Sequence, residues 1–164
     1  MSELFVQAKE SEAEELAPFI ASLWHSAYDG LLGPAQVDYM TGKFQSAAEI
    51  RRQMREEGYL YYFLRRGGEN IGYCALHPEA DSLFLSKLYL AENCRGKGIG
   101  QKALGAVTGI ARKLGKERVY LTVNKGNARA VRAYEKFGFT LAESIVTDIG
   151  GGYAMDDFVY EYFL

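Results

Sequence analysis

The stretch Arg95-Gly96-Lys97-Gly98-Ile99-Gly100 holds the residues whose types and spacing point most directly to chemistry. Glycines let consecutive backbone N–H groups converge on one point, because no side chains crowd the approach. A helical pattern follows at once, and it brings its own free N–H groups and the positive end of its dipole to the same place. Arg95 and Lys97 add fixed positive charge. Together these features read as a site for pyrophosphate. Two other phosphate loops fail on spacing. A P-loop needs Lys followed by Ser or Thr to hold magnesium, and Lys97 is followed by Gly98. A dinucleotide loop needs its third glycine further on, and Glu117 stands at the start of a strand rather than its end. A loop that binds nothing would not place bases and glycines in register ahead of an amphipathic helix.

A second group of candidates lies downstream. Asn127 is suited to cap a helix, and Asn127, Val131 and Tyr134 recur at spacings that share a helix face. Taken alone, Tyr134 reads as a core aromatic. Lys136 is either a phosphate contact or a solvated helix residue. Glu92 and His77 are candidates to take a proton, although each has a plainer reading, as a loop carboxylate and a structural histidine. Cys94 adjoins the glycine loop without a positioned base, which makes it a poor nucleophile. Trp24, Tyr28 and Tyr39 could meet a cation through their ring faces, or simply fill a helix core.

The elements that must position these residues follow from periodicity. Leu4–Ala8 suits a first strand. Ser11-Glu12-Ala13-Glu14 reads as a capping box before a helix with Leu16, Ile20, Leu23, Trp24 and Ala27 on one face. Pro18 should kink or restart that helix. A second helix begins at Pro34, and Ser46-Ala47-Ala48-Glu49 caps a third that Gly58 stops. The pattern then turns to strands. Tyr59–Arg66 and Glu69–His77 flank a two-residue turn at Gly67-Gly68, and Leu83–Ala91 follows. After the glycine loop comes a helix with Ala103, Leu104, Val107, Ala111 and Leu114 in step, ended by Gly115. Arg118–Val123 is a strand, Asn127–Phe137 a helix, and Phe139–Ile149 and Tyr153–Leu164 are final strands around Gly150-Gly151-Gly152. The order predicts an α/β (α+β) domain with a mixed, mostly antiparallel central sheet flanked by helices.

Composition bounds the rest. The 164 residues suit one domain, residues 1–164. At 48% hydrophobic and 24% charged the chain can bury a core without disulfide or metal staples. Two separate cysteines, Cys74 and Cys94, with only His25 and His77 to join them, argue against a metal site. Met1-Ser2-Glu3 opens without a basic stretch and no apolar run is long enough to span a membrane, so a cytoplasmic setting is expected. Charge is unevenly spread. Residues 86–137 hold 12 Lys/Arg against 3 Asp/Glu, and residues 138–164 hold 5 acids and no Lys or Arg. The basic middle suits a polyanion and the acidic flanks a cation. Nucleic acid is excluded as a partner, because the bases lack an interleaved stacking pattern and the net charge is −2. Aromatic strands near Tyr59–Phe63 and Tyr160–Phe163 would serve either a homodimer interface or the core.

The loop Arg-x-x-Gly-x-Gly, followed by Asn127, Ala130, Tyr134, Gly138 and Phe139, resembles the GNAT superfamily of N-acetyltransferases. Almost the whole length is similar to its PaiA-like polyamine branch. That similarity includes Trp24 with Tyr28-Asp29-Gly30, Ile71-Gly72-Tyr73, Leu85–Leu90, Val123-Asn124-Lys125-x-Asn127, and Asp148-Ile149-Gly150 with Met155-Asp156-Asp157. The resemblance implies the GNAT fold and acetyl-CoA as co-substrate, with no metal. It implies that Arg95, Gly96, Lys97, Gly98, Ile99 and Gly100 hold the pyrophosphate, in a cleft between the strands ending near Leu90 and Val123. It implies that Leu88, Tyr89 and Leu90 pair with the pantetheine arm and that a bulge there aims an N–H at the thioester oxygen. Asn127 would contact pantetheine, and Tyr134 would protonate the departing thiolate. The acceptor implied is a polyamine such as spermidine or spermine. A protein or peptide amine, or a non-catalytic acyl-CoA sensor, are the alternatives. A GNAT enzyme often keeps a Glu base on the strand that here is Leu83–Ala91. This strand has none, and the base stays unassigned.

Overall fold

The computed structural model describes residues 4–164, so the reading of Met1-Ser2-Glu3 lies outside the described residues. Five α-helices and seven strands occur among them, with strand order β1-β2-β3-β4-β5-β7-β6. The chain falls into two compact units. One comprises the residues up to His77 together with Lys87–Lys97, and the other comprises Pro78–Ser86 and Gly98–Leu164.

The first unit begins with β1 (Phe5–Gln7), which pairs antiparallel with β2 (Leu60–Arg66). Three helices intervene: α1 (Ala13–Leu32), α2 (Pro34–Phe44) and α3 (Ala47–Glu56). Entry to α1 differs from the expected capping box at Ser11. A 3₁₀ turn (Glu10–Glu12) precedes the helix, and Glu12 Oε1 accepts the Lys9 N–H at 2.8 Å. The reciprocal contact therefore closes two residues earlier than Ser11 would place it. Pro18 does not restart α1, which continues unbroken through it. Proline in a helix interior removes one backbone hydrogen bond. The buried face Ala13, Leu16, Ile20, Leu23, Trp24 and Tyr28 spans the site of that loss and holds the helix together. Ala27 is only half-buried, and Tyr28 takes the place expected for it. Gly33 alone links α1 to α2, at φ +87, and Pro34 opens α2 where its missing N–H costs nothing. Ser46 caps α3 by accepting the Glu49 N–H at 3.2 Å.

β2 returns through Gly67-Gly68 into β3 (Glu69–Pro78). Both glycines have positive φ, as a tight hairpin turn requires. Residues Ile71–Leu76 of β3 are all buried. A hydrogen-bond chain crosses this unit's core. Trp24 Nε1 donates to Tyr73 Oη at 2.8 Å, and Tyr73 donates to Gln45 Oε1 at 2.9 Å. Gln45 Nε2 donates to Tyr61 Oη at 2.9 Å, and Tyr61 donates to Gln53 Oε1 at 2.7 Å. Burial is tolerated because each polar group in the chain has a partner. Burial also raises the Tyr61 and Tyr73 hydroxyls above the usual tyrosine range, so they stay protonated donors.

In the second unit, the start of β4 (Ser82–Leu90) pairs parallel with β5 (Arg118–Asn124), from Ser82↔Arg118 to Phe84↔Tyr120. β5 pairs along its length with β7 (Tyr153–Phe163), which pairs antiparallel with β6 (Thr140–Gly150). Between β4 and β5 the chain forms α4 (Ile99–Lys113), and between β5 and β6 it forms α5 (Ala128–Phe137). α4 buries Ile99, Ala103, Leu104, Val107, Thr108 and Ala111. Leu114 is not on that face. It follows the last helical residue and is 45% exposed, because the chain turns out at Gly115 (φ +72). Tyr160 is buried in this unit, as Tyr61 and Phe63 are in the first, whereas Phe163 is exposed.

Candidate active site

The first unit carries the end of β4 and the beginning of the glycine loop. Leu88, Tyr89 and Leu90 are half-buried. Ala91 donates its N–H to the Ile71 carbonyl at 2.8 Å, which anchors the end of β4 on β3. A 3₁₀ turn, Glu92–Cys94, then leads to Arg95, whose N–H is bonded to the Glu92 carbonyl at 3.2 Å. Gly96 has φ +76 and open space where a Cβ would stand. Lys97 ends this unit, exposed. Three rings meet beside β4. Tyr28, Trp24 and Tyr89 lie with centroids 5.7–6.1 Å apart, and the Tyr28 and Tyr89 hydroxyls are 3.0 Å apart. The Lys87 ammonium sits 5.9 Å from the Trp24 ring centroid. Trp24 is thus a buried core residue with one face against a cation, and Tyr28 and Tyr89 form a hydroxyl pair that spacing alone did not reveal. Tyr39 stands elsewhere, with Lys43 Nζ donating to its hydroxyl at 3.3 Å.

The second unit carries the other half of the loop. Gly98 is left-handed (φ +78, ψ 1) and is the cap residue of α4, and no side chain caps that helix. Gly98 has no side chain with which to cap the first N–H groups of α4. Gly98, like Gly96 in the first unit, has a positive φ and open space where a Cβ would stand. Ile99 is buried and Gly100 half-buried, so the loop is pinned on one side by the core.

Two asparagines organise the turn from β5 into α5. Asn124 is buried and its Oδ1 accepts the Gly126 N–H at 2.8 Å. Asn127 caps α5 by accepting the Ala130 N–H at 3.2 Å. Tyr134 is half-buried on α5, its ring edge-on to Phe139 at 5.8 Å. Its carbonyl accepts the N–H groups of Gly138 and Phe139, which closes the helix at a left-handed Gly138. Lys136 is exposed. Gln101 was read only as the residue that spoils a dinucleotide motif. Its side chain donates to the Ala133 carbonyl at 3.0 Å, which ties the start of α4 to α5 one residue before Tyr134.

The remaining candidates separate. His77 Nε2 is bonded to the Glu57 carbonyl at 2.9 Å and its ring stacks on Tyr59 at 4.5 Å. Glu92 is exposed and accepts from Ser26 at 3.4 Å. Burial pushes the Cys74 thiol well above its usual range, and Cys94 lies 3.5 Å from Asn93 Oδ1. Among the described residues no group of three or more His, Cys, Asp or Glu is arranged to hold a metal, and no helix is long and apolar enough to cross a membrane. Asp156 is exposed and paired with Lys125 at 2.8 Å, while its neighbour Asp157 is buried, so the two do take opposite faces of β7.

The profile of the Acetyltransferase (GNAT) family matches residues 22–139. The chain belongs to that family and is an N-acetyltransferase. An uncharacterized N-acetyltransferase of Mycobacterium tuberculosis is 30% identical over 132 residues, covering 80% of this chain and 85% of the relative. The spermine/spermidine N(1)-acetyltransferase of Bacillus subtilis is 34% identical over 89 residues, covering 49% of this chain and 56% of the relative. The crystal structure of a PaiA N-acetyltransferase from Thermoplasma acidophilum in complex with coenzyme A superposes with a TM-score of 0.80 over 98% of both chains, at 22% identity.

Proposed function

We propose that this enzyme transfers the acetyl group of acetyl-CoA directly to a primary amine of the polyamine class, and that its 164 residues form one catalytic domain. The observation that carries the cofactor reading is the glycine loop. Two positive-φ glycines lead straight into a helix whose N-terminus has no side-chain cap. Backbone N–H groups from Arg95 to Gly100 bind the pyrophosphate, and Arg95 and Lys97 add charge. Lys136 adds a further cation near a phosphate. The backbone of Leu88, Tyr89 and Leu90 holds the pantetheine arm, and Asn127 contacts it from the start of α5.

Acetyl-CoA, when bound, supplies an electrophilic carbonyl carbon and a thiolate leaving group. A backbone N–H of β4 donates to the carbonyl oxygen as negative charge gathers there. The Tyr134 hydroxyl gives its proton to the departing sulfur, a role suited to a group that is protonated at neutral pH. The polyamine reading draws support from the Bacillus subtilis relative and from the acidic 138–164 segment, whose Asp148 is exposed.

Release of coenzyme A measured over spermidine, spermine, short diamines, amino acids and short peptides tests this. Turnover confined to the polyamines is expected. Turnover confined to peptides would keep the enzyme class and overturn the acceptor.

A further inference from the structure

Ile71-Gly72-Tyr73 is part of the pattern in this sequence, and neither binding nor proton transfer accounts for its glycine. Gly72 lies in the buried run of β3 without a positive φ, so conformational freedom does not explain it. Its surroundings do. A Cβ at this position would overlap the Tyr89 carbonyl oxygen and would stand 3.2 Å from Leu90 Cα and 3.1 Å from Leu90 Cδ2. Two of these three atoms are backbone and have no rotamer by which to escape.

In a regular antiparallel ladder the carbonyls lie near the sheet plane, while Cβ atoms stand out of it. An oxygen that occupies the place of a partner's Cβ has therefore left that plane. The Tyr89–Leu90 peptide is turned over the bare face of Gly72. Because the peptide is planar and trans, its N–H points opposite to its carbonyl. The Leu90 N–H is thus directed away from Gly72. Two contacts hold the turned peptide in place. The Ala91 N–H is bonded to Ile71 O at 2.8 Å just beyond it, and the Tyr89 ring is stacked on Tyr73 at 5.8 Å just before it.

We infer that Gly72 is a positioning residue for acetyl transfer, whose missing side chain lets the Tyr89–Leu90 peptide turn so that the Leu90 N–H becomes the donor to the thioester oxygen. The inference rests on the reading of Leu88–Leu90 as the strand that meets the cofactor. It names which N–H is used and which residue of the neighbouring strand aims it. A Cβ at position 72 forces the peptide back toward the sheet plane. The donor then moves while the pyrophosphate loop keeps its own glycines.

Gly72→Ala is the test, with Ala91→Pro beside it. The second variant removes the anchoring N–H without adding a Cβ at position 72, and the φ of −58 at Ala91 suits proline. Trp24 is the only tryptophan and touches the Tyr89 ring at 5.7 Å, so its emission reports any displacement of β4 in the free protein. Coenzyme A and acetyl-CoA binding are measured by calorimetry, and kcat is measured with the best amine of the panel. A folded Gly72→Ala protein should show altered Trp24 emission, retained coenzyme A affinity, and a kcat lower by about 10²-fold, the scale expected for misplacing a reacting group by about 1 Å. Ala91→Pro should move emission and kcat in the same directions by less. Folded Gly72→Ala with wild-type kcat overturns the inference. If that variant does not fold, Ala91→Pro with wild-type emission and kcat overturns it. Wild-type protein that binds neither coenzyme A nor acetyl-CoA removes the cofactor reading itself, and the inference falls with it.

Discussion

At the scale of the residue, Tyr134 and Gln45 illustrate two kinds of necessity. Tyr134 is half-buried at the end of α5, with its ring against Phe139 and its backbone closing the helix. Tyr134→Phe keeps the ring and removes only the hydroxyl. It should lower kcat by about 10²–10⁴-fold with coenzyme A affinity retained, the range for losing a general acid. Steady-state kinetics with calorimetry checks this, and an unchanged kcat removes Tyr134 from the role. Gln45 is 2% exposed and joins Tyr73 to Tyr61. Gln45→Leu takes away the acceptor of the buried Tyr73 hydroxyl and the donor to Tyr61, which keep only Trp24 and Gln53 as partners, and should cost about 1–3 kcal/mol, the penalty for a buried polar group left unsatisfied. Chemical denaturation with an unchanged m-value would report it. The place of Tyr134 on a helix between Asn127 and Gly138 was legible from spacing. Gln45 was not, because it lies at a helix end with nothing periodic about it, and only the meeting of α2 with β2 and β3 reveals its partners.

At the scale of the element, α1 and α2 are held by a clasp that the sequence did not announce. His25 Nδ1 is 2.6 Å from Asp29 Oδ1 and its Nε2 is 2.8 Å from Asp38 Oδ1. Only an imidazolium can donate to both. The Asp29 hydrogen bond chiefly raises the His25 pKa above 6.5, partial burial opposes it, and the Asp38 bond adds to the rise. A folded-state pKa above the unfolded value stabilises the protein at pH below the unfolded value, and that stability is lost as pH rises through the raised folded value. His25→Gln should therefore lower the unfolding midpoint most at mildly acidic pH. Wild type and variant should converge as the imidazolium loses its proton. Thermal unfolding followed across pH checks the trend, and a gap that widens toward alkaline pH would refute it. The helices themselves were readable from their caps. Ser46 and Asn127 cap as their types suggest, whereas Ser11 yields to a turn closed by Glu12 and Lys9.

At the scale of the whole molecule, charge is divided along the chain rather than balanced locally. Residues 86–137 hold 12 bases against 3 acids and include the glycine loop. Coenzyme A is a polyanion, so its affinity should fall several-fold between low salt and about 0.5 M salt as the Debye length shrinks to a few ångströms. Calorimetry at graded ionic strength measures this, and a salt-independent affinity would assign binding to backbone N–H groups alone. Homodimer formation through the aromatic strands is a separate proposal, checked by light scattering at high protein concentration. Tyr61, Phe63 and Tyr160 are buried, Tyr59, Tyr62 and Tyr162 are half-buried, and Phe163 is exposed to a second copy.

The sequence by itself determined the order of elements, both hairpin turns, the glycine loop and the helix that carries Asn127 and Tyr134. Each of these depends on signals within a few residues of one another: glycines where φ is positive, caps, and apolar spacing. The tertiary structure alone decided the Tyr28–Tyr89 hydroxyl pair, the tie from Gln101 to the carbonyl before Tyr134, and the turned peptide over Gly72. Those features join residues 61, 32 and about 17 positions apart. No local preference encodes them, because each exists only once two elements have packed and one side chain, or the lack of one, meets the backbone of another.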